Sequence, residues 1–518
     1  MNVFLNNLKE ETNFTYTENG AITHKTTMNG LLDLFALGAA YRNRSAEDCI
    51  VLFMKAFEED EVYAMKCLFY LRDIMQGQGE RRFFRIVCHY LAKHHLPVIQ
   101  RNLKYVSEFG RWDDIIYICY GTKLWDDCIE LIKQQMVLDA QSVLVSEKQG
   151  ISLLGKWLPS ENTSSVTTRK MAHAVRESLG MTHKQYRKTL STLRERINVL
   201  ERLMSAGKWD EIEFDKVPSN AGFKYRNAFA RHDIERMKSE KQVVSYKDFM
   251  ADENTTVNAK ALYPYEVVAK AFMITNRNYY WNTIFNDSDA NATERNAINK
   301  YWDNLKDVFN GYSFNGLCIC DTSGSMWGSS ASAPINVAIS IALYCAEKAA
   351  GPFKGHYISF SSRPQLIETV GVDFCDKVQR IYQTNLCENT NIEATFDLVL
   401  NTALKNHLKQ EDLPENLIIV SDMEFDAASS EGWWDRNVDK KTLMENIAIK
   451  WSAAGYKMPN LIFWNVDARQ DNIPMKVEEG ITMVSGFSTV LFEQIMKGLS
   501  AWDLVKDKLD SERYACIK

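Results

Sequence analysis

The chain changes its apolar period once, near residue 306, and that change limits what it can fold into. From Gly30 to about Phe285 apolar residues recur at helical spacing, as in Cys49-Ile-Val-Leu-Phe-Met-Lys-Ala-Phe57 and Val62-Tyr-Ala-Met-Lys-Cys-Leu-Phe-Tyr-Leu71. This spacing predicts helices with one buried face. Breaks rich in Gly, Pro or Asn fall at 76–79, 95–97, 109–110, 157–160 and 218–220. Beyond 306, apolar strand patterns alternate with helical ones. Strands are expected at 316–321, 417–422, 460–466 and about 481–485, with a hairpin-like pair around 356–360 and 365–370. Helices are expected near 334–350, 374–384, 392–407, 440–454 and 488–498. Strands of this kind, buried on both faces, build a mostly parallel sheet covered by helices, with ligands at the carboxyl ends of the strands.

The first half carries a short recurrence. Gly110-Arg-Trp-Asp-Asp-Ile115 returns as Gly207-Lys-Trp-Asp-Glu-Ile212, and Trp125-Asp-Asp-Cys-Ile129 is a partial third copy. A glycine ending one helix at positive φ, followed by acids in the first turn of the next, predicts divergent helical hairpins of a HEAT-like kind. Residues 1–27 are polar and Thr-rich and read as an arm or irregular start. Residues 286–305 read as a polar connector with a short helix. The expected division is a helical-repeat module over 1–305 and an α/β domain over 306–518, so the fold class is α plus α/β.

Bulk properties narrow the setting. The 518 residues exceed one core, and the net charge of −6 argues against a wholly basic coat. The start lacks a basic segment followed by an apolar one, and no apolar run is long enough to span a bilayer. The eleven cysteines are odd in number and scattered, with neither a disulfide framework nor zinc spacing. These features predict a cytoplasmic protein without a membrane partner.

The most specific chemistry follows the strand at 316–321. It runs into Asp321-x-Ser323-x-Ser325, Thr390 stands in a polar loop before a helical run, and Asp422 ends the strand at 417–422. Carboxylate and hydroxyl oxygens at strand ends make a cup for a hard divalent cation, Mg²⁺ first, with Mn²⁺ or Ca²⁺ as alternatives. This set of five resembles the metal-ion-dependent adhesion site of a von Willebrand A domain, a Rossmann-like fold. In such a site Ser323, Ser325 and Thr390 would offer hydroxyls, Asp321 and Asp422 would bind directly or through water, and a partner's acidic residue would complete the shell. The competing reading is a Ser-rich turn beside an ordinary strand-ending aspartate.

A second feature is charge. Arg169, Lys170, Arg176, Lys184, Arg187, Lys188, Arg194, Arg196, Arg202 and Lys208 are opposed between 166 and 209 only by Glu177, Glu195 and Glu201. Lys224, Arg226, Arg231 and Arg236 extend the run, with Phe223, Tyr225 and Phe229 interleaved. Such a stripe suits phosphates, and exposed aromatics suit unpaired bases. The competing reading is a solvated helix face with the aromatics in the core. Arg72, Arg81, Arg82 and Arg85 around Gly77-Gln-Gly79 are either a second anion site or a helix–helix turn with surface arginines.

A helical module followed by an A domain resembles the Ro autoantigen family, whose TROVE module is a ring of helical repeats that binds small structured RNAs and single-stranded RNA ends. Arg72-Asp73-x-x-x-Gly77-x-Gly79-Glu80-Arg81, Phe109-Gly-Arg-Trp-Asp-Asp114 and Asn227-Ala-Phe-Ala-Arg231-His232-Asp233 point closer to an uncharacterised family of the same two-part plan. The resemblance implies a non-enzymatic ribonucleoprotein component. Small non-coding or single-stranded RNA would lie on the residues Arg169, Lys170, Arg176, Lys184, Arg187, Lys188, Arg194, Lys224, Tyr225, Arg226 and Arg231. A protein partner would lie at the metal. The alternative is a protein-interaction scaffold that grips an acidic client residue without RNA. A metal-dependent hydrolase is the weakest reading, because no general base or second metal cluster can be named.

Overall fold

A computed structural model describes residues 3–144, 151–197, 199–239, 241, 243–275, 288–309, 314–348, 351–360, 363–384, 390–427 and 441–518. The N-terminal segment is ordered rather than irregular. Helix Val3–Glu11 leads into strands β1 (Phe14–Tyr16) and β2 (Ile22–His24), which pair antiparallel. Gly20 turns between them at φ 90°, a conformation open to glycine at little cost. Bridges Gly20↔Asp426 and His24↔Ile473 tie this hairpin to loops beside the large sheet.

That sheet contains β3 (Gly316–Asp321), β4 (His356–Phe360), β5 (Gln365–Glu368), β6 (Asn416–Ser421), β7 (Asn460–Asn465) and β8 (Ile481–Ser485), in the order β5-β4-β3-β6-β7-β8. All neighbours are parallel except β4 and β5. The register sets Leu317, Leu417, Leu461 and Ile481 in one row across four strands. Leu417, Ile418, Ile419 and Val420 of central β6 are all buried, because helices cover both faces. Helix Pro334–Lys348 packs on β3 and is buried almost all round, as its unbroken Ala/Ile/Leu run requires.

The compact units divide the chain differently from the 305/306 expectation. One unit holds Met1–Cys67 with Leu262–Ser511, and the other Leu68–Ala261 with Glu512–Lys518. The reason lies in where the apolar faces of the flanking helices go. After helix Gly30–Leu37, the Ala39 N–H donates to Ser485 Oγ at the end of β8, and that hydroxyl donates back to the Phe35 carbonyl, both at 3.3 Å. Helix Pro264–Thr275 packs on Pro334–Lys348 and Phe374–Thr384, with Phe272 stacked on Tyr382 at 3.8 Å. The connector helix runs the full Ser288–Asp303 and stacks Trp302 on Phe374 at 4.1 Å.

The second unit is helical. No strand lies between Gly30 and Thr275 among the described residues. Phe69, Phe84 and Phe109 meet edge to face at 5.3 Å in its core. The two copies of the recurring element differ. Gly207 takes the expected positive φ of 67°. Gly110 instead has φ −126° and is needed for space: a Cβ there would lie 2.5 Å from Asp114 Oδ2.

Candidate functional site

The end of β3 and the end of β6 bring four of the five metal-cup residues together. Asp321 is fully buried. Its Oδ1 accepts the Ser323 N–H at 2.9 Å and its Oδ2 accepts the Ser421 hydroxyl at 2.5 Å. The Ser323 and Ser325 hydroxyls lie 3.1 Å apart, and Ser325 is exposed, so the cup opens on that side. Asp422 follows β6 directly, and its Oδ2 accepts from Arg469 Nη2 at 2.9 Å. Thr390 is buried, and its carbonyl accepts the N–H of Asp426, four residues beyond Asp422, at 3.0 Å.

Electrostatics mark this cup as short of positive charge. Burial, and then the charge of Asp422, push the Asp321 carboxyl up to about 7, against hydrogen bonds from Ser421 and Ser323 that favour ionisation. Glu424 is likewise pushed up to about 7, chiefly by burial. Its Oε2 accepts the Glu18 N–H at 2.6 Å, while Oε1 is buried with no hydrogen-bond partner. Arg469 bridges Asp422 and the Glu18 carboxylate, the latter at 2.6 Å. The donor set therefore fits a hard divalent cation, which would let the buried carboxyls ionise together. Glu18, Glu424 and Arg469 escaped the sequence reading because they stand outside the five-residue motif.

The helical unit carries the complementary site. A cleft of about 600 Å³ is lined by Arg111, Lys156, Arg194, Arg202 and Lys224, with Trp157, Tyr225 and Glu201. The Arg111 guanidinium lies 4.2 Å from the Trp157 ring centroid, and Lys224 lies 4.8 Å from that of Tyr225. Burial, with repulsion from Arg72 and Arg81, holds Arg111 below its ordinary value, and Asp113 and Asp114 oppose the shift. The Tyr225 hydroxyl donates to Glu201 at 3.0 Å, leaving the half-buried ring at the cleft wall. Arg111, Lys156 and Trp157 come from segments that read only as a helix start and a loop.

The stripe itself splits in two. Arg169, Lys170, Lys184, Arg187, Lys188, Lys224 and Arg231 are exposed. Three predicted contacts are instead tied into the fold. Arg176 bonds Glu161 and the Met181 carbonyl, at 2.8 and 3.0 Å. Arg194 donates to the Gly155 and Leu158 carbonyls and to Ser160 Oγ, at 2.8, 3.0 and 3.0 Å, so it braces the cleft while its charge faces it. Arg226 is buried against Phe223 and donates to the Phe223 carbonyl at 2.8 Å. Phe223 and Phe229 are core residues, which leaves Tyr225 as the stripe's one aromatic at the cleft.

Of the arginines around Gly77-Gln-Gly79, Arg72 and Arg85 are tied into the fold, while Arg81 and Arg82 are exposed. Buried Arg72 pairs with Asp114 at 2.8 Å, and Arg85 reaches Asp114 at 2.5 Å and Asp113 at 2.7 Å. Asp73 takes Arg513 at 3.0 Å and the Tyr514 hydroxyl at 3.1 Å. The conspicuous Arg72-Asp73 and Trp112-Asp-Asp114 motifs thus supply two sets of ion pairs inside the helical unit.

The fold and its two sites define a class: a helical unit bearing a cationic cleft, joined to a parallel sheet with an oxygen-lined cup at its strand ends. The chain belongs to the family described as Domain of unknown function (DUF2828), whose model matches residues 17–138 and 121–310. A second family model, Domain of unknown function (DUF7788), matches residues 315–514. An uncharacterised protein of Acanthamoeba polyphaga mimivirus, L728, is 31% identical over 514 residues, spanning 93% of this chain and 85% of that protein. The crystal structure of the Deinococcus radiodurans Ro (RSR) protein is similar at a TM-score of 0.49 and 11% identity, covering 94% of this chain and 100% of that one. No described helix is long and apolar enough to cross a membrane.

Proposed function

We propose that the protein is a non-enzymatic RNA-binding protein whose helical unit holds single-stranded RNA and whose cup holds Mg²⁺ that takes an acidic residue of a protein partner. The observation that carries the RNA reading is the cleft, where five cationic side chains surround two aromatic rings. Guanidinium and ammonium groups attract phosphates, and Trp157 and Tyr225 offer faces for unpaired bases, which a duplex keeps stacked away. The exposed residues Arg169, Lys170, Lys184, Arg187 and Lys188 would extend the phosphate track. The Ro-like plan implied by the sequence points the same way.

At the cup, Asp321, Ser323, Ser325, Thr390 and Asp422 would supply the oxygens. An ion with few charged ligands stays electrophilic toward an incoming carboxylate. The assembled groups are carboxylates and hydroxyls with a guanidinium, and burial pushes the nearby Cys318 and Cys320 thiols well above their ordinary value. No activated thiol stands at the cup, and its hydroxyls and carboxylates suit gripping a partner's carboxylate through the ion.

Fluorescence anisotropy of nuclease-treated protein with labelled single-stranded and blunt duplex RNA tests the reading. Single strands should bind better, with affinity falling steeply as salt rises. If no single strand binds at low salt, the RNA reading fails and a protein scaffold using the cup takes its place.

A further inference from the structure

We propose that Glu161, His173 and His183 form a binding site for a borderline divalent transition-metal ion, zinc foremost, separate from the oxygen-lined cup. Nothing in the sequence spacing announces this site. One ligand atom from each of the three residues lies within 4.8 Å of the others, an arrangement made by the fold of the helical unit. His173 sits on helix Val166–Ser178, and His183 opens helix His183–Arg196. Glu161 stands on the loop before them. His173 Nδ1 lies 2.9 Å from Glu161 Oε1, and His183 Nδ1 lies 2.8 Å from Oε2. The two rings are nearly perpendicular, at 87°, with centroids 5.9 Å apart.

Two imidazoles and one carboxylate suit Zn²⁺ or a neighbouring first-row ion, whereas Mg²⁺ prefers oxygen alone. Zinc bonds of about 2.0–2.1 Å place tetrahedral ligand atoms about 3.3 Å apart. Starting from 2.8–2.9 Å, the carboxylate–imidazole pairs need to open only slightly. The Glu161 side chain is 16% exposed while His173 and His183 are 46% and 68% exposed, so an ion has a path in and a fourth position open to solvent.

The surroundings hold the carboxylate in place. Arg176 Nε bonds Glu161 Oε1 at 2.8 Å and takes one of the several lone-pair sites of that carboxylate, as an outer partner of a ligating carboxylate does. Arg194 braces the loop through the Leu158 carbonyl and Ser160, and the Tyr186 hydroxyl does so through the Pro159 carbonyl, at 2.9 Å. An ion here would pin the loop to both helices that carry the exposed basic residues. The site rests on this geometry alone and stands whether or not RNA binds.

The test uses full-length, tag-free, chelator-treated protein carrying Asp321→Ala, so that the cup does not contribute. Titration with Co²⁺ should give one equivalent of visible ligand-field absorption, which Zn²⁺ displaces. His173→Ala and His183→Ala alter partly exposed side chains, so circular dichroism should stay unchanged while affinity falls by at least about 100-fold. Absence of a cobalt spectrum, or a spectrum that survives both histidine substitutions in a folded protein, overturns the site.

Discussion

The cup and the cleft are opposites in charge, burial and origin. The cup collects carboxyls at the ends of two adjacent strands, and three of its residues lie within five positions of sequence. Its key acid is fully buried. The cleft draws cations from helix starts, loops and helix faces spread from Arg111 to Lys224, and its walls are partly open. Strand ends force neighbouring side chains together through hydrogen-bonded register, so a cup can be written as a short motif. Helical hairpins bring residues together only through packing, so a cleft need leave no motif at all.

The contrast can be broken most forcefully at Asp114, next to the cleft wall. Asp114→Ala leaves buried Arg72 and half-buried Arg85 without their shared carboxylate. Removing one partner of a buried pair costs about 3–5 kcal/mol. Urea denaturation followed by circular dichroism should show that loss, accompanied by weaker RNA binding, while Mg²⁺ affinity at the cup stays near its original value.

Asp321→Ala is the reverse test. Calorimetry should show Mg²⁺ and Mn²⁺ binding abolished, with RNA affinity unchanged. The fold should be retained, because the residue sits at a strand end and its loss opens no large cavity. Retained metal affinity would remove Asp321 from the cup.

Tyr225→Ala should cost about 1–3 kcal/mol in binding single-stranded RNA, the usual range for losing one stacked base, and far less for a duplex. Equal losses for both would mean that Tyr225 supports the cleft only through its bond to Glu201. The smallest expected effect per residue belongs to Arg187→Ala and Lys188→Ala, exposed beyond the cleft. Each should weaken binding to all sequences alike and reduce the slope of log affinity against log salt by about one. Loss of discrimination among sequences would instead place these residues at base edges.

The alternation of strands and helices after 306 was legible because apolar runs of strand length, bounded by turns, have few other uses. Asp321, Ser323, Ser325 and Asp422 were legible for a related reason: each sits at or just beyond the end of a recognisable strand. Arg176 and Arg226 were read as phosphate contacts but are bonded within the fold, since an arginine on a helix gives no sign of whether a carbonyl waits for it, while Arg194 is bonded to carbonyls and still lines the cleft. The N-terminal hairpin was missed because its partners, Asp426 and Ile473, lie more than 400 residues away in the chain. The Glu161, His173 and His183 cluster was invisible for the same reason on a smaller scale, with eleven and nine residues between its members.

What the sequence determined by itself is local: the period of each apolar run, hence helix or strand, and the oxygen-bearing residues that end two of those strands. Backbone geometry imposes both within a few residues. What only the tertiary structure decided is which surfaces meet. Helix Gly30–Leu37 and helix Pro264–Thr275 could equally have covered a helical array, but their apolar faces are buried in the unit that holds the sheet. Likewise, a cation's role follows from the acceptors packed around it. A buried guanidinium must find carbonyls or carboxylates or lose its hydration unpaid, and only packing places those acceptors within reach.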